Sequence, residues 1–183
     1  VGVVRVYLWW IGEGIPGAPL EHARMHLEWI FGRPVVVGSR AGRPAEAFDP
    51  RRRQTSSTRL LQWLLTVKPP DAERILGVTE EDLFIPILTF VYGEAQLGGS
   101  AAVVSTARLH PEPRTPRRAE LLRERLAKEC AHELGHTYGL VHCARASCVM
   151  SRSASVIDVD LKGGGLCEDC RVRLDDLSRG LPQ

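Results

Sequence analysis

The residues best suited to chemistry lie between positions 132 and 142, which read His132-Glu133-Leu134-Gly135-His136-Thr137-Tyr138-Gly139-Leu140-Val141-His142. Positions i and i+4 of a helix share a face, so His132 and His136 would aim two imidazoles at one point, the spacing that grips a zinc ion, with Glu133 in reach of a water there. Gly139 supplies a residue free to take positive φ, which stops the helix and turns the chain so that His142 approaches from another direction. Three neutral imidazoles leave one coordination position open, the pattern of a catalytic zinc site. From 6 His, 14 Glu and 17 Gly in 183 residues, composition alone would assemble these five fixed positions in roughly 4 of 100,000 such sequences. His22 and His26 share the i, i+4 spacing but lack the following Glu and a third ligand, so they are expected to pack as ordinary helix residues.

Directly downstream, Cys143 and Cys148 are separated by four residues, Cys167 and Cys170 by two, and the pairs by a stretch of 18. Paired knuckles of this kind place four thiolates around a tetrahedral zinc with no open position, which makes a structural site. Two disulfides or free thiols are the alternatives. Residues 143–183 hold few large apolar side chains, so a metal there would supply folding free energy. Cys130 is left over and reads as a buried thiol.

The elements that must position these groups follow from pattern. Val3 to Ile11 reads as a buried strand, Leu20 to Phe31 as a helix ended by Gly32, and Val35 to Val37 as a second strand. Residues 38–54 read as loop and Ser57 to Val67 as a helix. Phe84 to Val91 and Ala101 to Ser105 are expected to be strands. Thr115 as N-cap and Pro116 at the first position predict a helix from Pro116 to about Tyr138, with Leu122, Leu126, Cys130 and Leu134 on its inner face. Strands alternating with helices predict an α/β (α+β) fold, a mixed and mostly parallel sheet with helices packed on it. The length of 183 residues predicts a single domain.

Composition narrows the classes. Hydrophobic residues at 44% and charged residues at 25% are those of a folded globular chain. A net charge of +2 offers no general attraction for nucleic acid, and Arg51 to Arg53 with Arg59 lack interleaved aromatics, so a solvated face is expected there. No apolar run is long enough to span a membrane. Val1 to Ile11 is interrupted by Arg5 and does not read as a signal peptide. A cytoplasmic monomer that binds neither nucleic acid nor membrane is the expectation, and reduced cysteines fit that setting.

The motif His132-Glu133-x-x-His136-x-x-Gly139-x-x-His142, followed at once by Cys143, then by Cys148-Val149-Met150 and by Cys167-Glu168-Asp169-Cys170, resembles the archaemetzincins, a branch of the metzincin zinc peptidases. The segment Phe84 to Leu109, with Gly93-Glu94-Ala95 and Ala101 to Ser105, is similar to the family as well. The resemblance implies a metzincin-like fold, one catalytic domain over residues 1–183 with an N-terminal α/β part (1–139) carrying the active-site helix and a small zinc-stapled C-terminal part (140–183), and Met150 in a Met-turn beneath the catalytic zinc. It implies two zinc ions per chain, a catalytic one on His132, His136 and His142 and a structural one on Cys143, Cys148, Cys167 and Cys170. Peptide hydrolysis is the expected activity, with Glu133 as the proton carrier. The resemblance further implies that an extended peptide substrate could pair with an edge strand formed by Ala101, Ala102, Val103, Val104 and Ser105; a plain edge strand is the alternative. Some metzincins place a Tyr near the zinc after the Met-turn, and this chain has none beyond Tyr138. A peptide-binding protein with little or no turnover remains the alternative to an enzyme. A zinc-ribbon nucleic-acid binder would leave the His-Glu motif unexplained.

Overall fold

A computed structural model describes residues 5–180 of the chain. Two sheets form. The larger runs β2 (Val35–Arg40), β1 (Arg5–Ile11), β5 (Ala72–Thr79), β8 (Ala101–Ser105) and β7 (Gly93–Ala95) in spatial order. Every neighbouring pair is parallel except β7 with β8. The smaller sheet holds β3 (Phe48–Asp49), β4 (Gln54–Ser56) and β6 (Leu83–Phe84). The predicted mixed, mostly parallel sheet is present. Val3 and Val4, assigned to the first strand from sequence, lie outside the described residues.

Alternation along β1 divides the core between the two faces of the sheet. Val6, Leu8 and Trp10 meet α1 (Gly17–Phe31) through Leu20, Leu27 and Ile30, and α3 (Arg118–Thr137) through Leu126, Cys130 and Leu134. Trp9 and Ile11 face α2 (Ser57–Val67) through Leu60, Leu61 and Leu64. The side chain of Ser56 caps α2 by accepting the Arg59 N–H, satisfying one of the donors a helix start leaves free. After α3 the chain adds α4 (Val156–Leu161) and α5 (Glu168–Arg179), neither of them predicted from sequence. Their Val159, Cys170 and Leu174 join the core shared with α1 and α3. The C-terminal segment is therefore built into the main core and also carries its cysteines. No helix among the described residues is long and apolar enough to cross a membrane.

The structure corrects several expectations. Ala101, Ala102, Val103, Val104 and Ser105 do form a strand, but an interior one, paired on one side with β5 and on the other with β7, and all five residues are buried. The edge is β7. An interior strand has spent its backbone donors and acceptors on its neighbours and cannot take up an added peptide. Phe84 to Val91 is mostly loop: only Leu83–Phe84 is strand, and Pro86, lacking an N–H, lies where a longer strand would have to continue. The strand actually present, β5, was missed because Glu73, Arg74 and Gly77 break its apolar run. The long helix begins at Arg118 rather than Pro116, preceded by Arg117 in the left-handed conformation (φ 64°). Residues 38–54 contain the end of β2, a 3-10 turn at Ala45–Ala47 and β3, as well as loop.

Candidate functional site

The final two turns of α3 carry His132, Glu133 and His136. Its end is set by Gly139 (φ 94°). Gly139 N–H donates to His136 O at 2.9 Å and Leu140 N–H to Gly135 O at 3.1 Å. This is the paired closure of a Schellman turn, which needs a left-handed residue that glycine adopts without a Cβ clash. The chain then doubles back. His142 reaches the other two imidazoles, with ring centroids 5.3 Å from His132 and 5.0 Å from His136.

The ligating nitrogens of the three histidines lie within 4.8 Å of one another. His132 Nδ1 is 2.9 Å from Val149 O, and His136 Nδ1 is 2.7 Å from Leu140 O. A carbonyl oxygen can only accept, so both Nδ1 atoms carry the proton. Burial pushes the pKa values of His132, His136 and His142 below the ordinary imidazole range, which favours the neutral ring, and with Nδ1 protonated the Nε2 atoms of His132 and His136 each carry a lone pair. Those two lone pairs sit 3.2 Å apart, an arrangement that repels unless a cation lies between them. Zinc–nitrogen bonds of about 2.0–2.1 Å separate two nitrogens of a tetrahedron by roughly 3.3–3.4 Å, so the donor set fits zinc.

Met150 is fully buried and packs against α3 at Gly135. A Cβ at Gly135 would stand 2.6 Å from its Sδ, so the helix rests on the thioether with no room for a side chain there. Glu133 is 7% exposed. Burial, then the neighbouring Glu129 carboxylate, push its carboxyl well above the usual range, which suits a group that takes up and returns a proton. Gly93 on β7 permits its position, because a Cβ there would lie 2.6 Å from both Glu133 Cγ and Val103 O. The edge strand thus runs directly against the Glu133 side chain. It is tied in place by Glu94, which accepts from the Thr58 hydroxyl at 3.0 Å and from Ser57, and by Gly98 N–H donating to His136 O at 2.9 Å.

A cleft of about 450 Å³ opens over His132, Glu133 and His142, walled by Leu88 to Gly93 and by Arg152 to Ala154. Glu129 lines its floor and is 2.6 Å from Lys162 Nζ, an ion pair in which both side chains are almost fully buried. Sequence reasoning passed over this pair. Glu129 sits one helical turn before Glu133, a detectable signal, but nothing local announces that Lys162 is its partner. Tyr92, rather than any Tyr downstream of Met150, lines the cleft; Tyr138 stacks on Phe31 with centroids 5.1 Å apart.

The second cluster is Cys143, Cys148, Cys167 and Cys170, whose sulfurs also lie within 4.8 Å of one another. Cys143 and Cys167 are 3.8 Å apart, far beyond a disulfide bond and equal to the edge of a tetrahedron with zinc–sulfur bonds of about 2.3 Å. Cys167 caps α5, and the Cys170 N–H lowers its thiol pKa below the ordinary value. Cys148 Sγ accepts the Cys167 N–H at 3.3 Å. The two clusters share backbone. His142 and Cys143 are consecutive, Cys143 N–H donates to Met150 O, and the segment Cys148–Met150 also supplies the Val149 carbonyl that orients His132.

The remaining candidates fall elsewhere. His26 Nε2 is 2.8 Å from Gly164 O, and His22 is exposed on α1 and belongs to neither cluster. Cys130 is fully buried. Arg51 and Arg59 line a separate cleft of about 460 Å³ that contains none of the histidines, cysteines or Glu133.

Comparison with known proteins places these clusters in a family. Residues 40–176 match peptidase family M54. An archaemetzincin from Methanopyrus kandleri is 43% identical over 157 residues, covering 85% of this chain and 86% of that protein. One from Methanocaldococcus jannaschii is 45% identical over 134 residues, covering 73% of each. The crystal structure of the Methanopyrus kandleri archaemetzincin superposes with a TM-score of 0.86 at 37% identity, covering 96% of each chain. With a family match over most of the chain and relatives this similar along most of their length, the chain belongs to peptidase family M54, the archaemetzincin family of zinc metallopeptidases.

Proposed function

We propose that the chain hydrolyses peptide bonds at the His132–His136–His142 centre, with Glu133 as general base and then general acid, and that it carries a second, structural zinc on the four cysteines. The observation that carries this reading is the pair of Nε2 atoms of His132 and His136 only 3.2 Å apart, beside a cleft lined by His132, His142 and the buried Glu133. Zinc bound there supplies a Lewis acid for the scissile carbonyl and lowers the pKa of water. Glu133, held between the helix and Gly93, takes the proton and returns it to the leaving amine. The Val149 and Leu140 carbonyls keep His132 and His136 in the tautomer whose Nε2 faces the centre. An extended peptide is accommodated along the outer edge of β7, whose backbone groups pair with β8 on one side only, and this strand passes beside Glu133. The role first given to Ala101–Ser105 thus moves to Gly93–Ala95. The four thiolates close the C-terminal segment around α5, so that residues 140–183 act as the metal-stapled base of one catalytic unit.

The test is zinc-loaded parent and Glu133→Ala presented with an unbiased peptide library. Cleavage by the parent, abolished in the variant with both zinc ions retained, is the expected result. Peptide binding without cleavage by the parent would assign a capture protein instead.

A further inference from the structure

The cleft wall at Leu88 to Tyr92 overlaps a stretch, Ile85–Phe90, with no regular secondary structure. Leu88 N–H donates to Ile85 O at 3.1 Å and Val91 N–H to Leu83 O at 2.9 Å; the carbonyls in between are held from outside. Arg52 Nη2 donates to Leu88 O at 2.8 Å and to Thr89 O at 3.4 Å. Gln54 Nε2 donates to Thr89 O at 2.9 Å. The Arg52 guanidinium carbon sits over Phe84, 4.3 Å from the ring centroid, and its Nε donates to Gln54 Oε1 at 3.1 Å. Gln54 Nε2 also reaches Asp82 at 2.9 Å, and Asp82 receives both Nε and Nη2 of Arg108 at 2.7 Å. Arg108 in turn covers Phe90, 4.1 Å from its centroid.

We infer that Arg52 and Gln54 are positioning residues that fix the wall of the substrate cleft, and that the wall they hold, at Leu88, receives an apolar side chain of the substrate. The second half rests on the peptidase reading above; the first does not. Three features carry it. Gln54 is 8% exposed and its amide is fully used, accepting from Arg52 and bridging Thr89 to Asp82. Arg52 covers the Phe84 ring while its Nε donates to Gln54 and its Nη2 to the loop carbonyls, a combination of stacking face and separated donors that a point-like ammonium does not offer. Leu88, half-exposed at 48% and outside both apolar core clusters among the described residues, presents apolar surface to the cleft it lines, and a loop so held keeps that surface in one place.

The experiment compares zinc-loaded parent, Arg52→Ala and Arg52→Lys. Amide exchange at Leu88 and Val91 should rise at least tenfold in Arg52→Ala and by less in Arg52→Lys, with exchange in α3 and zinc content unchanged. Equal exchange in parent and Arg52→Ala would overturn the clamp. With library peptides carrying an apolar residue next to the scissile bond, KM should rise about tenfold in Arg52→Ala while kcat changes less than threefold. A loss in kcat at constant KM, or an equal effect on peptides with polar residues there, would overturn the assignment of the wall. If the parent cleaves no peptide, the peptidase reading and the apolar-wall assignment fall together, while amide exchange still decides the clamp.

Discussion

Replacing Lys162 by Met tests the buried ion pair on which the floor of the cleft rests. Lys162 and Glu129 stand 2.6 Å apart with side chains 1% and 3% exposed. Neither of the atoms in contact has another protein partner, so the interaction is chiefly charge on charge. At that separation and an effective dielectric constant near 20, the attraction is about 6 kcal/mol. Met matches the length of the stem and removes the ammonium, leaving a carboxylate buried beside Glu133. The net destabilisation expected for breaking a buried pair is about 3–5 kcal/mol. With a urea slope of about 2 kcal/mol/M, the midpoint falls by roughly 1.5–2.5 M. The assay is equilibrium urea unfolding at fixed excess zinc, so that metal binding contributes equally to both proteins. Adding Glu129→Gln removes the orphaned charge and should restore most of the stability. A loss below about 1 kcal/mol, or a double variant no better than Lys162→Met alone, would refute the reasoning.

Gly93→Ala places a Cβ against the Val103 carbonyl, which cannot move away as a side chain could, so it should cost about 1–3 kcal/mol and displace Glu133. Thermal unfolding and peptide turnover should both fall, and an unaltered turnover would show that β7 does not position the carboxylate. A mild chelator should strip the three-histidine centre before the four-thiolate centre, since the latter is closed; zinc release followed with a chromogenic indicator would contradict this if both ions left together. Cys167→Ser should weaken zinc at the cysteines and also, about 10 to 100-fold, at the histidines, because Cys143 continues from His142 and Cys148 leads into the Val149 carbonyl behind His132. An unchanged affinity at the histidine centre would show that the two sites are independent.

How much could be read in advance depended on whether the information was local. The metal ligands sit at short, regular spacings, and one helix with one glycine turn brings His132, His136 and His142 together, so the sequence displays the centre almost directly. The four cysteines are similar, because two knuckles need only be brought face to face. Met150 was placed by resemblance, and its contact with Gly135 supports that placement. Strand order was another matter. Ala101–Ser105 was recognised as a strand, but whether a strand lies at an edge depends on what pairs with it, and β7 is three residues long with a Glu at its centre. β5 was hidden by charged residues at its start, where Arg74 places its guanidinium over the Tyr138 ring. Phe84–Val91 has strand-like composition, yet Pro86 and the exposed Ile87 and Leu88 make it a cleft wall. The Glu129–Lys162 pair and the Arg52–Gln54 clamp join residues far apart in the chain, and no local pattern reports such partners.

The most direct measurement is anomalous diffraction from crystals of the zinc-loaded protein at the zinc absorption edge. The account predicts two peaks per chain, one about 2.0–2.1 Å from the Nε2 atoms of His132 and His136 and also bonded to His142, the other about 2.3 Å from the four cysteine sulfurs. A single peak at the cysteines with an empty histidine cluster, or disulfides in place of the second peak, would contradict it.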